Sequence, residues 1–119
     1  MSAIRSAAHS VPQALLDAIS SKTARVKYGA LKDLRTLSQH SPEVVYAHFD
    51  FMTGLLRNEN SIFRWNALLI LGDLASVDGE RKIDRMIDEY LAPISGPHLI
   101  DAANSIRGAA AIEIGRAHV

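Results

Sequence analysis

Apolar residues recur along the chain at the three- and four-residue steps of an amphipathic helix. In one stretch Val26, Ala30, Leu34 and Leu37 follow steps of four, four and three. A later stretch, from Ile83 to Leu91, fills every position of the template for one helix face. The whole pattern predicts six helices. The first runs over 10–19 and the second from beyond Ser21 to about 40. The other four run over 42–56, 62–76, 80–91 and about 98–113.

Polar and turn-forming residues separate these helices. Ser41-Pro42 is a helix start, because the hydroxyl can cap the helix and proline suits its first turn. The segment Pro93–Pro97 must be a loop, since two prolines and a glycine cannot continue a helix. Short connections make sequential helices antiparallel, which predicts three helical hairpins, over about 11–40, 42–77 and 80–113, after a flexible segment 1–10. The fourth helix is apolar nearly all round, so we expect neighbours on more than one side of it.

Three of the helices resemble one another. Ala30, Ala67 and Ala102 are 37 and 35 residues apart, and an apolar residue stands four places after each of them. A fixed period in this range, built of helical units, is typical of a stacked helical array. We therefore expect Ala67 to be buried against a neighbouring unit.

The hairpins resemble HEAT repeats, the two-helix units of armadillo-like alpha-solenoids. The resemblance is carried by Phe63-Arg64, Ala67, Leu71-Gly72 and Leu74-Ala75, and by Val26-Lys27, Ala30, Leu34 and Leu37 in the first unit. The third unit departs from the family pattern, because Leu99 replaces the basic residue and Ile106-Arg107-Gly108 replaces leucine-glycine. The resemblance covers about residues 11–113. It implies an all-α, right-handed alpha-alpha superhelix of about three hairpins.

The same resemblance implies a non-catalytic scaffold or adaptor that binds a protein partner on its concave face, with the second helices lining that face. The predicted partner-binding residues are Tyr28, Lys32, Arg35, Trp65, Asp73, Asn104 and Arg107. Trp65 should then be partly exposed and near Tyr28 and Lys32 or Arg35. A core position for Trp65 and solvated positions for the charged residues are the competing interpretations. The basic residue of the motif, Arg64 or Lys27, could reach Asn60 or Glu59.

Charge distribution keeps a second function open. Residues 1–40 hold six Lys or Arg against two Asp, whereas 41–119 hold seven basic against eleven acidic residues. Some HEAT-like solenoids, including a family of DNA glycosylases, hold duplex backbones on basic concave faces, so nucleic-acid binding by the first unit is one alternative. A HEAT-like lyase-type enzyme component, as among the bilin lyases, is another.

The remaining features of the sequence predict neither a cofactor nor a metal site. The five histidines are scattered and none forms an i, i+4 pair of the zincin type. Asp84, Asp88 and Glu89 place carboxylates together, but nothing nearby suggests general acid–base work. The longest uninterrupted apolar run, Ala67–Leu71, is far short of the roughly 18 residues of a membrane helix. The chain has no cysteine, which fits a reducing compartment, and we expect the cytoplasm.

The last six residues, Ile114–Val119, can be back-translated into a string that resembles a common sequencing-adapter read. We therefore expect 114–119 to be a non-native tail on a fragment of a longer protein. On this hypothesis Arg116 and His118 should make no specific interactions. The sixth helix should also carry uncovered apolar surface, because it ends in the run Ala109–Ile112 with no further helix after it.

Overall fold

The structure is a computed structural model that describes residues 11–116, so the predicted flexible segment 1–10 and His118 lie outside the described residues. Within 11–116 it contains α-helices and 3₁₀ turns and no strand, which confirms the predicted all-α class. The eight α-helices of this range are α1 (Gln13–Ile19), α2 (Ala24–His40), α3 (Pro42–Tyr46), α4 (Phe49–Leu56), α5 (Ser61–Asp73), α6 (Lys82–Arg85), α7 (Ile87–Leu91) and α8 (Leu99–Arg116). The 3₁₀ turns Leu74–Val77 and Ala92–Ser95 follow α5 and α7.

Two predicted helices are each divided in two. The helix predicted over 42–56 breaks before α4, where the His48 N–H bonds the carbonyl of Val45 at 2.8 Å. The helix predicted over 80–91 breaks at Met86, whose N–H bonds the carbonyl of Ile83 at 3.1 Å. At each break an i→i−3 bond is formed, which is tighter than the i→i−4 bond of an α-helix, and the α-helix is interrupted there. Both halves of each predicted helix then reach the core, as the burial of Val45 and Met52 illustrates.

Helix α6 also begins two residues later than predicted. Arg81 adopts a left-handed backbone conformation with φ 56°, and α6 starts at the next residue. The Asp78 carboxylate accepts hydrogen bonds from the N–H groups of Lys82 at 2.8 Å and Ile83 at 2.9 Å. These are amide groups that have no partner within the helix, so Asp78 fixes where α6 begins.

The middle helix α5 is the centre of the molecule. It packs against α4, against α2 on one side and against α8 on the other. Ala67, Leu68, Ile70 and Leu71 of this helix are fully buried. The predictions that α5 has several neighbours and that Ala67 is buried are both confirmed.

The three long helices α2, α5 and α8 lie side by side in chain order, because α5 contacts the other two. The shorter helices cover them, with α1 on α2, α4 on α5 and α7 on α8. The extents of 47 × 37 × 18 Å describe a slab about as thick as two packed helices. The radius of gyration of 14.1 Å is close to the roughly 13–14 Å of a compact domain of this length.

The end of the chain differs in part from the prediction. Helix α8 continues through Arg116, whose guanidinium pairs with Asp84 and with Glu113, so the prediction that Arg116 makes no specific interaction was wrong. The reason is that Gly115 is buried against Ala75, which brings the last turn of α8 to the Asp84 carboxylate. The expected uncovered apolar surface on α8 is confirmed, since Leu99, Ile100, Ile106 and Ile114 are exposed. The origin of 114–119 stays a prediction.

Candidate functional site

The predicted polar residues between α2 and α5 bind each other. The Arg35 Nε donates to Asp73 Oδ2 at 2.9 Å, and the Ser38 hydroxyl donates to the same oxygen at 2.7 Å. All three side chains are at least partly buried. Arg35 and Asp73 therefore join α2 to α5, and a partner would compete with this pair for either of them.

Tyr28 also joins these two helices. Its hydroxyl accepts a hydrogen bond from Asn60 Nδ2 at 2.8 Å, and its ring meets the edge of Phe63 with centroids 6.1 Å apart. The Lys27 ammonium lies 5.2 Å from the centroid of the Tyr28 ring. Lys27 thus lies against an aromatic face. Of the two basic residues expected to reach Asn60 or Glu59, Arg64 does so, through the main-chain carbonyl of Glu59.

Trp65 is partly exposed, as predicted, but its polar contact is with α8 and not with α2. The indole N–H donates to Asp101 Oδ1 at 2.5 Å, while Arg64 Nε donates to Asp101 Oδ2 at 2.8 Å. A second nitrogen of Arg64 donates to the main-chain carbonyls of Asn58 and Glu59. Asp101 is buried and satisfies both donors, so it is the central polar residue between α5 and α8.

The sequence interpretation missed Asp101. The available signal was its position in the first turn of α8, 37 residues after Arg64, which is the spacing of the alanine repeat. Arg35 and Asp73, whose pairing also crosses two long helices, are 38 residues apart. A search for opposite charges separated by the repeat period would have found both pairs.

The other predicted site residues do not form one continuous surface. Lys32 is exposed on α2 and Arg107 is exposed on α8. These two helices lie on either side of α5, so the two side chains do not belong to one surface. Asn104 is buried, so it is not accessible as the partner-binding residue that the sequence predicted. It lies one turn after Asp101 and one turn before Gly108 on the same buried face of α8, so the period of the helix directs it inward.

A groove lies beside Trp65, between the start of α5 and the start of α8. It has a volume of about 440 Å³, and its lining includes Ser61, Trp65, His98, Leu99 and Ile100. Leu99 is 83% exposed and Ile100 is 52% exposed, so the groove has an apolar rim. The partly buried Arg64 and the buried Asp101, which pair with each other, are also part of its wall. The groove thus combines a held aromatic ring, exposed aliphatic side chains and a fixed charge pair.

A basic surface lies at the other end of the slab. Lys22, Arg25 and Lys32 are all exposed. Arg25 and Lys32 are seven residues apart on α2 and so lie on one side of that helix, and Lys22 lies just before its start. This surface is part of the basic first unit that the sequence indicated.

The ionisable side chains with shifted pKa values are engaged in structural contacts. Hydrogen bonds from Arg81 lower the pKa of Asp84, and those from Arg57 lower the pKa of Glu89. A general acid needs a raised pKa, so these shifts have the opposite direction. Burial raises the pKa of Tyr46 to about 12, with help from its hydrogen bond to Asp78, and burial also raises the pKa of Tyr90.

The part of the chain from 11 to 116 contains no group of three His, Asp or Glu side chains able to hold a metal ion. No helix in that part is long and apolar enough to cross a bilayer. Comparisons with known protein families, with curated protein sequences and with solved structures find no match for this chain.

Proposed function

We propose that the chain is a non-catalytic, HEAT-like scaffold or adaptor module that binds a protein partner through the groove beside Trp65. The observation that carries the proposal is the aromatic ring of Trp65 held at the wall of a groove with an exposed aliphatic rim. Tryptophan is over-represented among residues that dominate binding energies, and such residues contribute most where the surrounding contacts exclude water. The groove is shallow and open, which suits a partner's side chains better than an enclosed small molecule.

The solenoid architecture belongs to this proposal. Its support is the side-by-side order of α2, α5 and α8, together with charged pairs that join neighbouring long helices at close to the repeat period. A cytoplasmic location is part of the proposal too, because the chain has no cysteine.

The test uses the chain as bait with one substitution inside the groove and one outside it. Ile100→Asp places a charge on the apolar rim, and Val26→Asp makes the same change at an exposed apolar residue of α2. A partner retained by the unchanged chain and by Val26→Asp, but lost with Ile100→Asp, supports the groove. Trp65 is the only tryptophan of the chain, so binding of the purified partner should also change the fluorescence emission of Trp65. A partner that binds Ile100→Asp as well as the unchanged chain contradicts the proposal.

Nucleic-acid binding by the basic surface on α2 is the second candidate, and the exposure of Lys22, Arg25 and Lys32 favours it. Binding through phosphates would weaken steeply as salt rises, with a slope that reports the number of contacts. A titration of duplex DNA across salt concentrations, repeated with Lys22→Glu and Lys32→Glu, separates the candidates. Salt-dependent binding that these two changes abolish would support the basic surface, whereas no binding at low salt would exclude it.

A further inference from the structure

Helix α8 has two apolar faces, of which only one is covered by described residues. The buried face packs on α5 and α7 and contains Asp101, Ser105, Gly108 and Ile112. The opposite face contains Leu99, Ala103, Ile106 and Ala110, and all four are exposed. These four residues, called here the open seam, follow steps of four, three and four, which is the spacing of the core of a coiled coil. The groove residue Ile100 points about 100° away from Leu99 around the helix.

The open seam alternates large and small side chains. In an antiparallel pair of such helices, Leu99 would face Ala110 of the other copy and Ala103 would face Ile106. Every large side chain then meets a small one, as close packing requires. In a parallel pair, large residues meet large ones and alanine meets alanine, which leaves gaps. The sequence of the seam is therefore complementary to itself in one orientation only.

Charge agrees with that orientation. None of the four seam residues is charged, and the exposed Arg107 beside the seam comes level with Ala102 of the other copy in the antiparallel register. In a parallel pair, Arg107 would come level with Arg107 of the other copy. In the antiparallel register Glu113 comes level with the residues just before Leu99 of the other copy. That is the N-terminal end of the partner's α8, where the helix dipole favours an acidic side chain.

From these observations we propose that α8 pairs with α8 of a second copy of this chain, antiparallel, across the open seam. A twofold axis relates the copies, and the same surface of each forms the interface. One pair of helices buries less than the roughly 1,600 Å² of a standard interface, so the dimer is weak and depends on concentration. This inference goes beyond the proposed function, because Leu99 borders both surfaces but Ala103, Ile106 and Ala110 do not line the groove.

Sedimentation equilibrium over a range of protein concentrations tests the proposal. The chain should pass from monomer to dimer, and Ile106→Asp should raise the dimer dissociation constant at least about tenfold, since each dimer then buries two unpaired charges. Val26→Asp at the far end of the slab and Ile100→Asp in the groove should leave the dimer unchanged. A strict monomer at every concentration would overturn the proposal, as would a dimer that only Val26→Asp disrupts, because that result indicates head-to-tail contact.

Disulfide trapping tests the register independently of stability. The chain has no cysteine, so Ala103→Cys and Ile106→Cys each carry one reporter thiol. A mixture of the two variants should form the mixed disulfide faster than either variant forms its own. Faster linkage of each variant to itself would indicate a parallel pair and overturn the antiparallel register.

Discussion

The two sides of the middle helix α5 are joined to their neighbours by different means. Toward α2 the contacts are made by side chains of ordinary size: Tyr28 on Phe63, and Arg35 with Asp73. Toward α8 the backbones themselves come close, because a Cβ on Gly72 would lie only 3.2 Å from the Cα of Gly108. One interface can therefore adjust its side chains, whereas the other leaves almost no space for any addition.

Tyr90 explains why glycine is needed on α8. Its hydroxyl donates to the main-chain carbonyl of Leu68 on α5, and the Ser105 hydroxyl of α8 donates to the Tyr90 carbonyl. A Cβ on Gly108 would overlap the Tyr90 Oη. The hydroxyl of Tyr90 thus occupies the space where residue 108 would otherwise have a side chain.

The largest expected effect is that of Gly108→Ala. The new methyl group must displace Tyr90 and break its hydrogen bond to Leu68, so we expect a loss of ~3 kcal/mol in the free energy of unfolding. Gly29→Ala is the matched control, because Gly29 lies inside α2 with nothing within 4 Å of its Cβ position. Alanine there should stabilise the protein by about 0.5–1 kcal/mol. Urea denaturation measures both, and equal effects of the two changes would contradict the account.

The charged pairs of the two interfaces come next. Asp101→Ala leaves Arg64 and the Trp65 indole without their carboxylate in a mostly buried place, which should cost about 2–3 kcal/mol. Asp73→Ala should cost less, because Asp73 and Arg35 are more exposed to water. Glu89→Ala, which removes the exposed partner of Arg57, should cost at most about 1 kcal/mol. Denaturation midpoints that do not follow this order would show that burial does not decide these contributions.

Ala67→Leu tests the middle helix itself. Ala67 is fully buried, and a larger side chain must push neighbouring helices apart, so we expect a loss of roughly 1–3 kcal/mol. Thermal unfolding followed by circular dichroism measures the change, with Ala14→Leu on the exposed side of α1 as a control for size. An unchanged midpoint for Ala67→Leu would mean that the core around α5 accommodates the larger side chain.

Alkaline titration tests the burial of two tyrosines, Tyr90 beside α8 and Tyr46 nearer the surface. The pKa of Tyr46 rises from 10 to about 12, and that of Tyr90 also rises, in both cases mainly through burial. Because the folded state favours the neutral phenols, their contribution to stability is complete below pH 10 and is lost as pH rises through the folded pKa values. Absorbance at 295 nm should show late ionisation that Tyr46→Phe and Tyr90→Phe each reduce. Complete ionisation of Tyr46 and Tyr90 by pH 10.5, with the fold intact, would be inconsistent with this burial.

The sequence predicted the long helices well, because their signals are local and repeated. The steps of Val26, Ala30, Leu34 and Leu37 lie within α2, and the apolar circumference of α5 correctly indicated several neighbours. The breaks at His48 and Met86 were not predicted, since neither residue is a helix breaker by itself. They arise because tertiary packing favours two short helices whose halves both reach the core over one straight helix.

The candidate site was only partly predictable, for a related reason. The periodicity identified Arg35, Trp65 and Asp73 as residues of interest, but the pairing of each depends on which helices become neighbours. Asn104 was predicted to bind a partner, whereas the rotation of α8 directs it inward. The groove beside Trp65 depends on where the Pro93–Pro97 region ends and α8 begins, which periodicity locates only to within a few residues.

The close approach of α5 and α8 is the central claim, and a nuclear Overhauser spectrum of the isotopically labelled chain tests it directly. The account predicts cross-peaks between the α-protons of Gly72 and Gly108, and between the Tyr90 ring and Gly108, because each pair is nearly in contact. The Tyr28 and Phe63 rings should give cross-peaks at the other interface and serve as the internal reference. If the Tyr28–Phe63 cross-peaks appear and those between Gly72 and Gly108 are absent, the helices do not meet at their glycines and the account is contradicted.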